Sequence, residues 1–265
     1  MWVKKFGSVF VTLALAITVV AVLSGPAEAA GKKCRNIAHR AMFEGTENQA
    51  RGVRENARWG FTEIDARMTK DGKVVALHDF SMARATGGKV KKPVGSFTLR
   101  QLRNMKFTLG HRVETTRRLI RIAGREGSPI MVTINSYKRY QKRWDNGGLA
   151  ELWAAAKNHP RTSHVFFGGP GGEQAMREQF PNARLFHRYA PGDDILKHAT
   201  THGVDQAGIP RRNFSRRLVR KLKEARIRVS TNQINRKRGV RDALRVGIRL
   251  MQTDSSRRTV RRWCR

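Results

Sequence analysis

Phe61-Thr62-Glu63-Ile64-Asp65-Ala66 is a short apolar run carrying two acids at a spacing of two. Alternate side chains of a strand share a face, so both carboxylates point to the same side of the sheet that contains them. Asp71-Gly72 follows as a tight-turn signal and leads into Lys73-Val74-Val75-Ala76-Leu77, a second strand-like run that stops at His78-Asp79. Upstream, Asn36-Ile37-Ala38 stops at His39-Arg40 in the same manner. Both histidines are therefore expected where a strand ends and a loop begins, the end at which a parallel barrel does its chemistry.

Further along the chain, strand-like runs recur at 129–135, 164–167, 183–187, 204–209, 227–231 and 248–253. Helix-like stretches lie at 149–157, 173–180, 214–225 and 240–246. Alternating strands and helices predict an α/β protein, a parallel sheet under helical cover, of the length usual for an eight-stranded barrel. Nine candidate strands are one more than such a barrel uses, so one is expected outside it. No internal repeat, low-complexity tract or linker divides the chain. The stretch 87–95, with three lysines and a proline, reads as an exposed loop near the site entrance.

Lys4 and Lys5 precede an apolar run over 6–23, then Ser24-Gly25-Pro26 and the small-residue triplet Ala27-Glu28-Ala29. This predicts a secretory signal peptide over 1–29, with an uncleaved anchor as the competing reading. The mature domain, 30–265, has about 236 residues, the usual size of an eight-stranded barrel. It contains two cysteines, Cys34 and Cys264, at opposite ends. In an exported protein such a pair predicts a disulfide, here one that staples the seam between the first and last strands; two unpaired thiols are the alternative. The chain-entropy contribution for so long a loop is on the order of 4 to 5 kcal/mol.

Lys and Arg number 54 against 20 Asp and Glu, a formal charge of +34 that falls only to +33 without the leader. Arginine pairs recur at 117–118, 211–212, 216–217, 257–258 and 261–262. Such a surface attracts polyanions: an anionic membrane surface, a glycerol-phosphate polymer of a cell wall, or nucleic acid. A merely solvated basic face is the plainer reading. There is no helix-turn-helix, zinc spacing or aromatic stacking array, so no dedicated nucleic-acid module is expected. The absence of a Gly-x-Ser-x-Gly elbow argues against a serine esterase. Nothing predicts a protein partner.

Two convergent acids invite a hard divalent cation. Two imidazoles facing each other across it could divide proton removal and delivery between them. The planar fork of Arg40 suits a phosphate oxygen. Each of these residues alone is more often structural than catalytic; together they describe a site.

Over 37 to about 105 the chain resembles the glycerophosphodiester phosphodiesterases. The matching motifs are Ala38-His39-Arg40, Glu47-Asn48, Glu63-Ile64-Asp65, Thr69-Lys70-Asp71-Gly72, His78-Asp79, Arg84-Ala85-Thr86-Gly87 and Thr98-Leu99-Arg100-Gln101-Leu102. Val229-Ser230-Thr231-Asn232 and Met251-Gln252-Thr253-Asp254 resemble that family's last two barrel strands. The resemblance implies a single-domain (β/α)8 TIM barrel of the phospholipase-C-like phosphodiesterase type with His39 and His78 as the acid/base pair. It implies Arg40 on the phosphate, Glu63 and Asp65 on a calcium or magnesium ion, and Glu47, Asn48 and Asp79 supporting the site. It further implies cleavage of a glycerophosphodiester to glycerol 3-phosphate and an alcohol.

Two positions depart from the family pattern. Ala41 stands where glycine usually follows His-Arg, and in Pro129-Ile130-Met131-Val132-Thr133-Ile134-Asn135 the expected third acid and the lysine two residues on are Thr133 and Asn135. Three outcomes stay open: a neutral oxygen of Thr133 or Asn135 completes the ion's shell, another acid such as Asp205 or Asp254 takes over, or the barrel binds phosphodiester polymers and lipid headgroups without cleaving them. Gly168-Gly169-Pro170-Gly171-Gly172 could present N–H groups to a phosphate but is more often a flexible loop. His187 is read as a core or loop histidine, and Trp59 and Trp153 as packing residues of helical stretches.

Overall fold

A computed structural model describes residues 34–108 and 112–264, apart from the side chain of Arg257. The signal peptide predicted over 1–29 lies outside the described residues. Eight parallel strands close into a barrel: β1 (Arg35–Ala38), β2 (Gly60–Met68), β5 (Ile130–Ile134), β6 (Val165–Gly168), β7 (Arg184–Arg188), β8 (Gln206–Ile209), β9 (Arg228–Thr231) and β10 (Leu250–Thr253). Pairing of β1 with both β2 and β10 shuts the cylinder. The two other strands leave it after β2. β3 (Val74–Ala76) runs back antiparallel to the end of β2, and β4 (Glu114–Thr115) pairs with β3. Nine strands were expected from the sequence; the tenth, β4, is only two residues long and has no periodicity to read.

Strand parity sorts the side chains. Ile37, Phe61, Met131, Phe166, Phe186 and Leu250, one from each of six barrel strands, pack into a lumenal plug. Polar side chains share the lumen with it: Gln206 donates to Met131 and Ser230, and toward the open rim Thr133 donates to Glu63. The outward residues meet the helices. In α3 (Thr116–Arg125), Leu119, Ile120, Ile122 and Ala123 share a core with Ile130, Val132 and Ile134 of β5, and the arginines between them face solvent. In α8 (Arg216–Glu224) the same division puts Val219 and Leu222 inside and Arg216 and Arg217 outside. Each fully buried aliphatic side chain contributes about 1.5–3 kcal/mol.

Cys34, before β1, and Cys264, after the last helix, form a disulfide with a Cα–Cα distance of 6.0 Å. It ties the two ends of the barrel together where β1 meets β10. Trp59 is a correction: it sits in the turn after α1 (Ala50–Ala57), 42% exposed, with the Arg261 guanidinium 5.3 Å over its ring. Trp153 stacks on Phe180 at 5.5 Å, a packing role. The glycine run after β6 is explained by close packing, because a Cβ on Gly169 would stand 2.3 Å from the Ile134 carbonyl oxygen. In 87–95 the lysines are exposed, but Val94 and Gly95 are buried. No helix among the described residues is long and apolar enough to cross a membrane.

Candidate active site

His39 follows β1, and the chain then turns through two left-handed residues, Arg40 (φ 54°) and Ala41 (φ 51°). For residues with a Cβ this costs about 1–2 kcal/mol each. The position where glycine was expected is thus one where glycine would be unstrained. α1 braces the turn so closely that a Cβ on Gly52 would stand 2.0 Å from the Ala41 carbonyl oxygen. The turn aims the Arg40 N–H at Glu63 Oε2, 2.8 Å away. His39 Nδ1 faces Asp254 Oδ1 at 2.8 Å, which leaves Nε2 as the nitrogen available for proton transfer. Asp254 is itself held by the amides of Asn235, at 2.7 Å, and Gln233.

His78 follows β3. Its Nδ1 meets Asp79 Oδ1 at 2.8 Å, and its Nε2 lies 2.8 Å from Arg40 Nη2. A guanidinium only donates, so Nε2 accepts and the ring hydrogen sits on Nδ1. Arg40 Nη1 also donates to Glu47 at 3.2 Å, and Arg84 bridges Glu47 and Asp79. Arg40, His78, Asp79, Arg84 and Glu47 therefore form a closed ring of hydrogen bonds. The Arg84 guanidinium, and next to it His78, holds Asp79 below its ordinary value against the upward push of burial. Arg67 fixes the His78 backbone through its carbonyl, at 2.8 Å, and donates to Ser136 Oγ at 2.6 Å. A cavity of about 100 Å³ opens beside His78, with Glu47 and Arg84 on one side and Leu77, Met82 and Phe107 on the other.

Glu63 and Asp65 point into the lumen from β2, 0% and 1% exposed. Asn48, also left-handed (φ 57°), donates to Asp65 Oδ2 at 3.0 Å and accepts the Asp65 N–H at 2.9 Å. Asn135 donates to Asp65 Oδ1 at 2.9 Å, and the Thr133 hydroxyl donates to Glu63 Oε1 at 2.5 Å. The two acids respond differently. Burial drives Glu63 upward, but Arg188, His39, the Thr133 hydroxyl and the Arg40 N–H together bring it below its ordinary value. Burial and the neighbouring charge of Glu63 raise Asp65 in spite of His78 and the two amides.

Residues 44–156 match the Glycerophosphoryl diester phosphodiesterase family. Over this stretch the chain is similar to that family. Solved structures of the same fold include an Oleispira antarctica phosphodiesterase in complex with the product sn-glycerol-3-phosphate (16% identity, 83% of this chain and 92% of that one, TM-score 0.71). A glycerophosphodiester phosphodiesterase from Thermotoga maritima is 18% identical over 83% of this chain and 94% of its own, with a TM-score of 0.65. One from Parabacteroides distasonis is 13% identical, covering 84% and 94%, with a TM-score of 0.68. No curated protein matches the chain by sequence.

Among the described residues the sequence motifs converge: His39, Arg40, Glu47, Asn48, Glu63, Asp65, His78 and Asp79 share one rim, with Thr133 and Asn135 on the strand beside β2. Of the acids considered as replacement ligands, neither serves. Asp205 precedes β8 at the other end of the barrel, where it accepts from Arg177, Arg184 and the Leu185 N–H. Asp254 is engaged with His39. His187 points outward to Glu173 Oε1, whereas the next residue, Arg188, turns into the lumen. Arg188 Nη2 lies 3.3 Å from Thr133 Oγ1, and Nη1 lies 4.0 Å from Glu63 Oε1. Sequence reasoning missed Arg188 and assigned no role to Arg84. Parity pointed to the first, since His187 and Arg188 must face opposite ways.

The donor set does not suit the divalent cation the family pattern implies. Calcium and magnesium need oxygen lone pairs, several of them anionic. Here all four carboxylate oxygens of Glu63 and Asp65 accept hydrogen bonds, Thr133 turns its proton toward Glu63, and Asn135 presents its NH2 to Asp65. A guanidinium already faces Glu63. Among the described residues no three His, Cys, Asp or Glu side chains converge as a ligand set.

Proposed function

We propose that this barrel is an exported phosphodiesterase that cleaves glycerophosphodiesters to glycerol 3-phosphate and an alcohol. One observation carries the reading: the imidazole of His78 is bonded at 2.8 Å to the guanidinium of the residue adjoining His39, so two histidines from separate strands serve one pocket. The Oleispira relative, bound to sn-glycerol-3-phosphate, supports the product class.

Water attacks phosphorus and the bond from phosphorus to the alcohol's oxygen breaks. His78 Nε2, whose lone pair is held by Arg40, takes the water's proton once the Arg40 fork moves onto the phosphoryl oxygens. His39 Nε2 delivers a proton to the departing oxygen, and Asp254 stabilises the imidazolium through Nδ1. The cavity beside His78 gives room for part of the diester. Export is supported by the leader and by a disulfide, a bond favoured in oxidising compartments. The exposed arginine pairs favour a substrate displayed on an anionic polymer or membrane surface.

Hydrolysis of glycerophosphocholine, assayed separately with calcium, with magnesium and with a chelator, tests the proposal. Turnover by the wild type and its loss in His39→Ala is expected. A wild type inert toward a panel of diesters, yet binding them in a salt-sensitive way, would make the barrel a binder of phosphodiester polymers or headgroups instead.

A further inference from the structure

We infer that Arg188, together with Arg40, supplies the positive charge that faces the phosphodiester, so that the pocket binds its anion without a divalent cation. This rests on the phosphodiester reading above.

Charge balance carries the first step. In the family pattern three carboxylates, a lysine and a dication sum to zero, and Glu63 and Asp65 with a single guanidinium come to one negative charge. With Thr133 for the third acid and Asn135 for the lysine, Arg188, its Nη2 3.3 Å from the hydroxyl and its Nη1 4.0 Å from Glu63, brings the site within one charge of that sum with no dication. The second step is geometric. The Arg188 side chain is 33% exposed, against 0% for Glu63, so it closes the lumen beneath and leaves N–H groups facing the mouth. A guanidinium has five donors in a planar fork that fits two phosphoryl oxygens. Arg40 approaches the same pocket from the β1 side, and its bond to His78 marks how near the imidazole a phosphate on it would lie. The third step concerns Glu63. A fully buried carboxylate without a cation is costly, and Arg188, 4.0 Å away, is the strongest favourable charge acting on it. Thr133 links the two by accepting from Arg188 and donating to Glu63. Its hydroxyl can do both, which an acid in that position could not when ionised.

Isothermal titration of the full mature chain with glycerol 3-phosphate and with inorganic phosphate, each in chelator and in calcium, tests this independently of turnover. The wild type is expected to bind with equal affinity in both buffers and to show no heat with calcium alone. Arg188→Gln should weaken anion binding on the order of tenfold or more, with Arg188→Lys between the two. The double variant Thr133→Glu/Arg188→Gln, which restores a third acid and removes the competing cation, should acquire calcium binding. Calcium-dependent anion binding by the wild type, no anion binding in either buffer, or an Arg188→Gln variant that binds like the wild type would each overturn the inference. A wild type that binds the anion in chelator but cleaves no diester would leave Arg188 in its role and sink only the hydrolase.

Discussion

The rim built on β1, β2 and β3 and the rim built on β5, β7 and β10 serve one pocket by different means. On the first, charged side chains hold one another: Arg40, His78, Asp79, Arg84 and Glu47 close a ring, and removing any member unpairs two others. On the second, each strand gives one or two polar side chains, Thr133 and Asn135 from β5, Arg188 from β7 and Asp254 after β10, and each engages a group of the first rim. The first rim is a preassembled unit. The second tunes it residue by residue, so changes there should be graded where changes on the first are severe.

The largest effect is expected from the histidines. His39→Ala and His78→Ala should each lower kcat on the order of 10²- to 10⁴-fold, the usual contribution of a positioned acid or base. Both variants should keep the wild-type circular dichroism and melting temperature to within a few degrees, since His39 and His78 stand at the rim and not in the plug. A loss below tenfold in either would remove that histidine from the proton transfer.

Asp254 acts through His39 and never meets the reacting atoms. Asp254→Asn should cost about 10- to 100-fold in kcat, the range typical of a residue that orients a functional imidazole, with KM little changed. The split matters: a KM effect of the same size would place Asp254 on the substrate.

The same contrast governs what could be read before the fold was known. On the first rim, chemistry is local in the chain. Glu63 and Asp65 are two apart on one strand, and a turn at Asp71-Gly72 returns the chain to His78, so strand parity and turn chemistry were enough to bring these groups together. The alternation of strands and helices was likewise sufficient for a parallel sheet under helical cover, and the eight barrel strands fell on runs recognisable as apolar, while the closed barrel came from the resemblance of the motifs. The second rim depends on closure, which makes β1 a neighbour of β10 and puts Asp254 against His39 across 215 positions. No periodicity reports a contact of that kind. Arg188 was hidden for a simpler reason: it follows a histidine that drew attention to itself, and only the inward parity of Phe186, two residues back, marks its direction.

Thr133 permits a finer cut. Thr133→Val keeps the shape and removes the proton donated to Glu63 Oε1, leaving a fully buried carboxylate short of a donor. A loss of about 1–3 kcal/mol in stability is expected from denaturant unfolding at neutral pH. A neutral result would mean that Arg188 and the Arg40 N–H satisfy Glu63 without the hydroxyl, and would sharpen the inference about that guanidinium.

The smallest expected effect is also the one that separates the rims by sign. Asp254 is pushed up by burial, but the hydrogen bond to His39, followed by those from Asn235 and Gln233, holds it below its ordinary value of 3.8. Its contribution to stability is present above that value and is lost as pH falls through the depressed one. Asp65 is raised above 3.8 by burial and by Glu63, so its contribution runs the other way, full at low pH and diminishing as pH rises from 3.8 through the raised value. Thermal unfolding of the wild type, Asp254→Asn and Asp65→Asn from pH 7 to pH 2 should show the two differences moving in opposite directions. The wild type's margin over Asp254→Asn is flat above roughly pH 4 and closes below it, while Asp65→Asn gains on the wild type as pH rises from that point. Fixed packing costs of either substitution shift the curves without tilting them. Parallel slopes would mean that the two acids share one environment, and the division of the pocket into a self-holding rim and a tuning rim would fail.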